Sequence, residues 1–181
     1  MTTRGLGRFA AAALGFAIGS VLLAQQPAGP PQPGPETKKL DVFAGKWKGD
    51  AEMKAGPWGP GGKMTNESEC SWFDGGFQLI CRESGAGAMG KMKSESILGW
   101  SSEEKVYKYM GFDNMGTMGS ATGNVSGNTW TWKGSDKMGG KTVYSRYTVV
   151  VTSPTSQTFK WETSDDGKTW TTAAEGKSTK S

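Results

Sequence analysis

After Gly45 the chain never repeats its apolar residues at helical spacing. Short stretches rich in Thr, Val, Trp, Tyr and Phe instead alternate with small clusters of Gly, Asn, Asp and Ser. The pattern predicts strands near 46–55, 63–73, 77–84, 92–100, 105–112, 115–125, 128–134, 141–152, 156–163 and 169–179. Between them lie turn signals such as Gly75-Gly76, Asp113-Asn114, Ser126-Gly127, Gly139-Gly140 and Ser153-Pro154. Turns this short make neighbours in sequence neighbours in space. Such a meander either keeps two unpaired edges or closes on itself, and closure removes the edges. The expectation is an all-β, antiparallel up-and-down barrel of about ten strands, with a lumen for side chains and one small ligand.

Alternation supports strands with one buried face. Trp130 and Trp132 share a side opposite Thr129, Thr131 and Lys133, and Phe159, Trp161 and Thr163 oppose Lys160 and Glu162. Trp47, Gly49, Ala51 and Met53 oppose Lys46, Lys48, Asp50 and Glu52. Ahead of that first strand, Pro35 to Ala44 carries Leu40 and Phe43 on one helical face. Glu36 near its start and Gly45 just past its end frame a short helix.

The N-terminus is of another kind. Arg4 and Arg8 precede an apolar run from Phe9 to Ala24, shorter than the roughly 20 residues a membrane-spanning helix needs. Residues 1–24 read as a signal peptide cut after Ala24 or, with Leu22 where a small residue is preferred, retained as an anchor. Residues 25–35 (QQPAGPPQPGP) are too proline-rich to bury anything and form a linker, leaving 36–181 as one domain. This predicts an exported chain, periplasmic or extracellular, with no membrane association after cleavage. Without Arg4 and Arg8 the formal charge falls from +4 to +2, and the lysines are scattered singly, which argues against nucleic acid. Nothing in the sequence sets an oligomeric state.

Histidine is absent, which removes His-based triads, His-ligated zinc and His-ligated haem. No cofactor is expected. Glu67 and Glu69 share a strand face but sit among lysines, as a solvated outer face would, and Asp165-Asp166-Gly167 is a turn signature before it is a calcium site. If Gly75-Gly76 forms a two-residue loop, Cys70 falls opposite Cys81, and an oxidising compartment favours a disulfide. That register makes them a hydrogen-bonded pair, with Cα atoms about 5.5 Å apart. Met89 and Met92, like Met115 and Met118, are spaced three apart. Thioethers suit copper(I), but residues three apart on a strand point to opposite faces, so flexible core filling is the simpler reading.

The segment LDVFAGKWKG, a helix running into Gly-x-Trp-x-Gly, resembles the start of the lipocalin and fatty-acid-binding barrels, the calycins. FAGKWKGDAEM, FDGGFQLICRES, SESILGWSSEEKVYKYMGFDNMGT and GNTWTWKG, in this order over Leu40 to Lys177, resemble an uncharacterised bacterial calycin-like family, domain of unknown function fifteen seventy-nine. The resemblance implies a barrel of about ten strands and no established activity. It implies that Trp47 packs across the closed barrel end, where calycins often set a late-strand Arg against it. Arg146 is the candidate. Facing inward it caps Trp47 or holds an acidic ligand head, and facing outward it is merely solvated. Ligand-binding candidates are therefore Trp47, Tyr144, Arg146 and Trp161. The expected function is a non-enzymatic binder of a small apolar or amphipathic molecule. The alternatives are a structural or protein-interaction barrel filled by its own aromatics, and a copper(I) protein using Met89, Met92, Met115 and Met118.

Overall fold

The structure, a computed structural model, describes residues 29–57 and 59–181, and a compact unit runs from Gln32 to Ser181. The signal-peptide assignment for residues 1–24 lies outside the described residues. A single helical turn α1 (Pro35–Lys38) passes into a 3-10 segment (Lys39–Phe43). Ten strands follow: β1 (Gly45–Met53), β2 (Gly62–Trp72), β3 (Gln78–Gly87), β4 (Gly90–Ser101) and β5 (Val106–Asp113) come first. Then come β6 (Met118–Ser126), β7 (Thr129–Met138), β8 (Lys141–Ser153), β9 (Ser156–Ser164) and β10 (Thr171–Lys180). Each strand pairs antiparallel with the next, and β1 pairs with β10 from Trp47↔Lys180 to Met53↔Ala174, so the barrel closes. The expected fold and strand order are present, although the helix is tighter and shorter than its spacing suggested and the Gly75-Gly76 loop is wider.

One end of the barrel is packed shut. Leu40 is completely buried beneath Leu79, Leu98, Tyr107 and Trp130, and Phe43 meets the Trp130 ring edge-on at 5.0 Å. Three strand aromatics tie the helical segment down through their polar atoms. The Tyr107 hydroxyl donates to the Glu36 carboxylate (2.8 Å), Trp72 Nε1 to Asp41 Oδ1 (2.7 Å) and Trp47 Nε1 to the Phe43 carbonyl (3.0 Å). A buried aromatic with a polar tip satisfied this way contributes both area and direction.

The disulfide Cys70–Cys81 is formed, the two residues directly opposite on β2 and β3. The register is the expected one but the pair type is not. Phe73 N–H donates to the Gln78 carbonyl, so the loop is four residues long and the hydrogen-bonded positions shift by one. Cys70 and Cys81 therefore form a non-hydrogen-bonded pair, the closer kind, with Cα atoms 4.0 Å apart.

Because the plug rests on one fully buried side chain, Leu40→Ala should cost about 2–5 kcal/mol. Urea melts of the two proteins test this, and coincident midpoints would show that the helical segment adds nothing to the barrel.

Candidate functional site

Above the packed end the barrel stays hollow. The strand register decides which side chains enter. Tyr109 stands beside Leu98, Trp132 beside Tyr147, and Tyr147 beside Trp161. With Trp47, Phe43, Ser96, Ser145, Gln157 and the disulfide they enclose a cavity of about 410 Å³. Six aromatic side chains, Phe43, Trp47, Tyr109, Trp132, Tyr147 and Trp161, stand in its wall among smaller residues such as Ser96, Gly119 and Ala121. Its polar atoms are mainly acceptors and hydroxyls: the carboxyls of Glu83 and Asp136, the phenols of Tyr109 and Tyr147, and the Gln157 amide. Gln157 donates through Nε2 to Ser178 Oγ (3.0 Å), while its Oε1 is buried without a hydrogen-bond partner.

Tyr147 is 38% exposed, but its surface opens to the lumen. Glu83 likewise touches lumen space while protein surrounds it. Burial pushes its carboxyl above the ordinary range, against a weak pull from the Ser94 hydroxyl at 3.4 Å. Burial also raises the phenols of Tyr109 and Tyr147, with the nearby Glu83 charge adding to both. The acid and the phenols are therefore biased toward their neutral forms.

Of the four expected ligand-binding residues, Trp47 and Trp161 line this cavity, whereas Tyr144 and Arg146 do not. Ser145, Tyr147 and Val149 point inward from β8, so alternation sends Tyr144 and Arg146 to the outer face. There Arg146 Nε donates to Glu162 Oε2 at 2.8 Å, and its guanidinium covers the Trp170 ring at 4.3 Å. Arg146 holds the Glu162 carboxyl below its usual range. Trp47 is capped instead by Lys180, whose Nζ lies 5.2 Å from the ring centroid. Tyr147, Tyr109, Glu83 and Gln157 escaped the sequence reading. A signal for Tyr147 was present: extending the Gly139-Gly140 turn pairs Tyr147 with Trp132 and Arg146 with Lys133.

The remaining candidates are outer-face or turn residues. Glu67 and Glu69 face Lys48 and Lys46 in exposed ion pairs. Asp166 accepts from Lys168 N, Thr169 N and Ser164 Oγ, which holds its carboxyl down to about 2 and makes it a turn cap. Among the described residues no group of three or more His, Cys, Asp or Glu is placed to hold a metal ion, and no helix is long and apolar enough to cross a membrane.

A closed ten-stranded meander with an aromatic lumen and a helical plug defines a calycin-like barrel. The chain belongs to the family described as Protein of unknown function (DUF1579), whose model matches residues 32–180. Among solved structures the barrel is similar to Rv2717c from M. tuberculosis, with 13% identity and a TM-score of 0.59 over 83% of this chain and 99% of that one. It is also similar to the S-type phycobiliprotein lyase CPES from Guillardia theta, with 10% identity and a TM-score of 0.56 over 80% of this chain and 91% of that one. At these identities the likeness is one of fold. No curated protein matches the chain in sequence.

Two outcomes follow. Arg146→Met and Trp47→Phe should be additive in denaturant melts, within about 0.5 kcal/mol, while Arg146→Met and Glu162→Gln should couple by about 0.5–3 kcal/mol. Coupling of the first pair would overturn the outward placement. Glu83 gives a pH signature. A carboxyl raised in the folded state leaves stability intact below the unfolded value, about 4.3, and erodes it as pH rises through the folded value. Glu83→Gln should therefore gain on the wild type above that range and match it in acid. Parallel stability curves across pH would mean that Glu83 is not held in the lumen.

Proposed function

We propose that this chain is an exported binding protein whose barrel lumen takes one small, largely apolar molecule carrying a hydrogen-bond donor. The observation that carries the reading is a cavity of about 410 Å³ with Trp47, Tyr109, Trp132, Tyr147 and Trp161 in its wall and the Glu83 and Asp136 carboxyls among its polar groups. The volume falls within the range of small-molecule pockets, roughly 300–1,000 Å³, and aromatic walls with a few convergent polar groups are what such pockets share. The neutral-biased Glu83, Tyr109 and Tyr147 add acceptors and hydroxyls without a fixed cation, which disfavours an anionic head. The charged N-terminus with its apolar run and the bridged cysteines support export. Binding rather than catalysis is read from the lumen alone, because a fold that also serves a phycobiliprotein lyase does not separate the two.

Fluorescence titration with Nile red, a neutral apolar probe, should give saturable one-to-one binding, with quenching of lumen tryptophans. Ser145→Phe, which fills the cavity, should weaken it at least tenfold while leaving far-UV circular dichroism unchanged. Absence of saturable binding, or equal binding by a folded Ser145→Phe, would overturn the lumen as the site.

A further inference from the structure

At the barrel end opposite the plug, five methionines from five segments meet around one small space. Met53 ends β1, Met64 lies near the start of β2, Met89 sits in the β3–β4 turn, Met92 begins β4 and Met115 lies in the β5–β6 turn. Of the four methionines singled out by their spacing, Met118 is absent from this group and 77% exposed. The void between the five is about 20 Å³. That is room for one water-sized guest and for no organic molecule.

The surrounding backbone is shaped to these side chains. A Cβ on Gly59 would sit 2.7 Å from the Met89 sulfur, and one on Gly87 would sit 2.9 Å from Met64 Cγ. Gly59 also holds a φ of +134°, where a side chain is strained. The β5–β6 turn is set by Asp113 Oδ1, which accepts from Met115 N (2.8 Å) and Thr117 N (3.0 Å). Met89 and Met115 remain about half exposed, which leaves an approach from solvent.

We infer that this thioether pocket is a binding site for one soft monovalent metal ion, copper(I) in the setting of an exported protein. Thioethers are neutral, polarisable donors, so they suit a soft ion of single charge and do not satisfy calcium or magnesium, which require oxygen. Each sulfur donates a lone pair and no proton or electron is transferred. Lys91 also borders the pocket, but it alternates with Met92 along β4 and so stands on the outer side of the strand. Both cysteines are consumed in the disulfide, leaving methionine as the soft ligand of the folded barrel. The site is separate from the lumen guest and stands without it.

Silver(I), which needs no reductant, is the first probe. With the full chain labelled at the methionine methyl carbons, one equivalent should shift resonances of the five pocket methionines and leave Met110, Met118 and Met138 unmoved. Met64→Leu with Met92→Leu should weaken binding at least tenfold, and Met118→Leu should not change it. Met115→Leu, a substitution at an exposed turn, provides the same test if the double variant fails to fold, with a loss of at least threefold expected. Copper(I) competition against a chromophoric chelator should then give one ion per chain. The disulfide must be verified intact by mass, since free Cys70 and Cys81 would bind copper(I) themselves. Failure of silver(I) to saturate at one equivalent, shifts spread over all methionines, or unchanged affinity in a folded pocket variant would overturn the site.

Discussion

Everything in this molecule depends on the pairing of its first strand with its last. Until β10 docks along β1, the meander carries two rows of unpaired backbone donors and acceptors, and its interior is one face of an open sheet. The contact is close enough to dictate residue size. A side chain at Gly49 would collide with Asn66 and with the backbone of Lys177, and one at Gly176 would collide with the backbone of Asp50 and Ala51. The Gly-x-Trp-x-Gly element therefore does two jobs. Its second glycine lets three strands approach at the seam, and its tryptophan anchors the closed end, donating to Phe43 and lying under Lys180.

Closure also sorts the interior into two regions with different energetics. Around the plug, large side chains fill the space, with Trp130 and Trp132 stacked and Tyr107 set edge-on to Trp130. There, burial of apolar area holds the fold. Past that layer the wall turns to Ser96, Gly119, Ser120 and Ser145, too small to meet across the barrel, and a cavity remains. Polar groups facing such a space are partly desolvated without being fully paired. This is why the Glu83 carboxyl rises. The outer face shows the opposite regime: ion pairs such as Lys48–Glu67 and Arg82–Glu95 sit in water and add little stability.

The same division explains which parts could be read in advance. Strand positions, turn order, the short helix before β1 and the Cys70–Cys81 register follow from local rules, because a strand's period and a tight turn's residues are set within a few positions of one another. The hydrogen-bond phase of that disulfide depended on whether the loop closed at Asp74 and Phe77 or one step further out, a choice made by the Phe73–Gln78 bond. On β8 both faces carry aromatic and β-branched residues, so alternation alone did not say which looked inward. Pairing with Trp132 and Trp161 did.

What the sequence by itself determined was the meander and its punctuation, since these rest on steric preferences of single residues and short turns. The site was decided by tertiary structure. A lumen is made of residues from strands far apart in the chain, and the Glu83 carboxyl rises only when barrel closure buries it. The methionines make the point most directly. Spacing grouped Met115 with Met118, yet a strand sends near neighbours to different places, and barrel closure set Met53, Met64, Met89, Met92 and Met115 around one void.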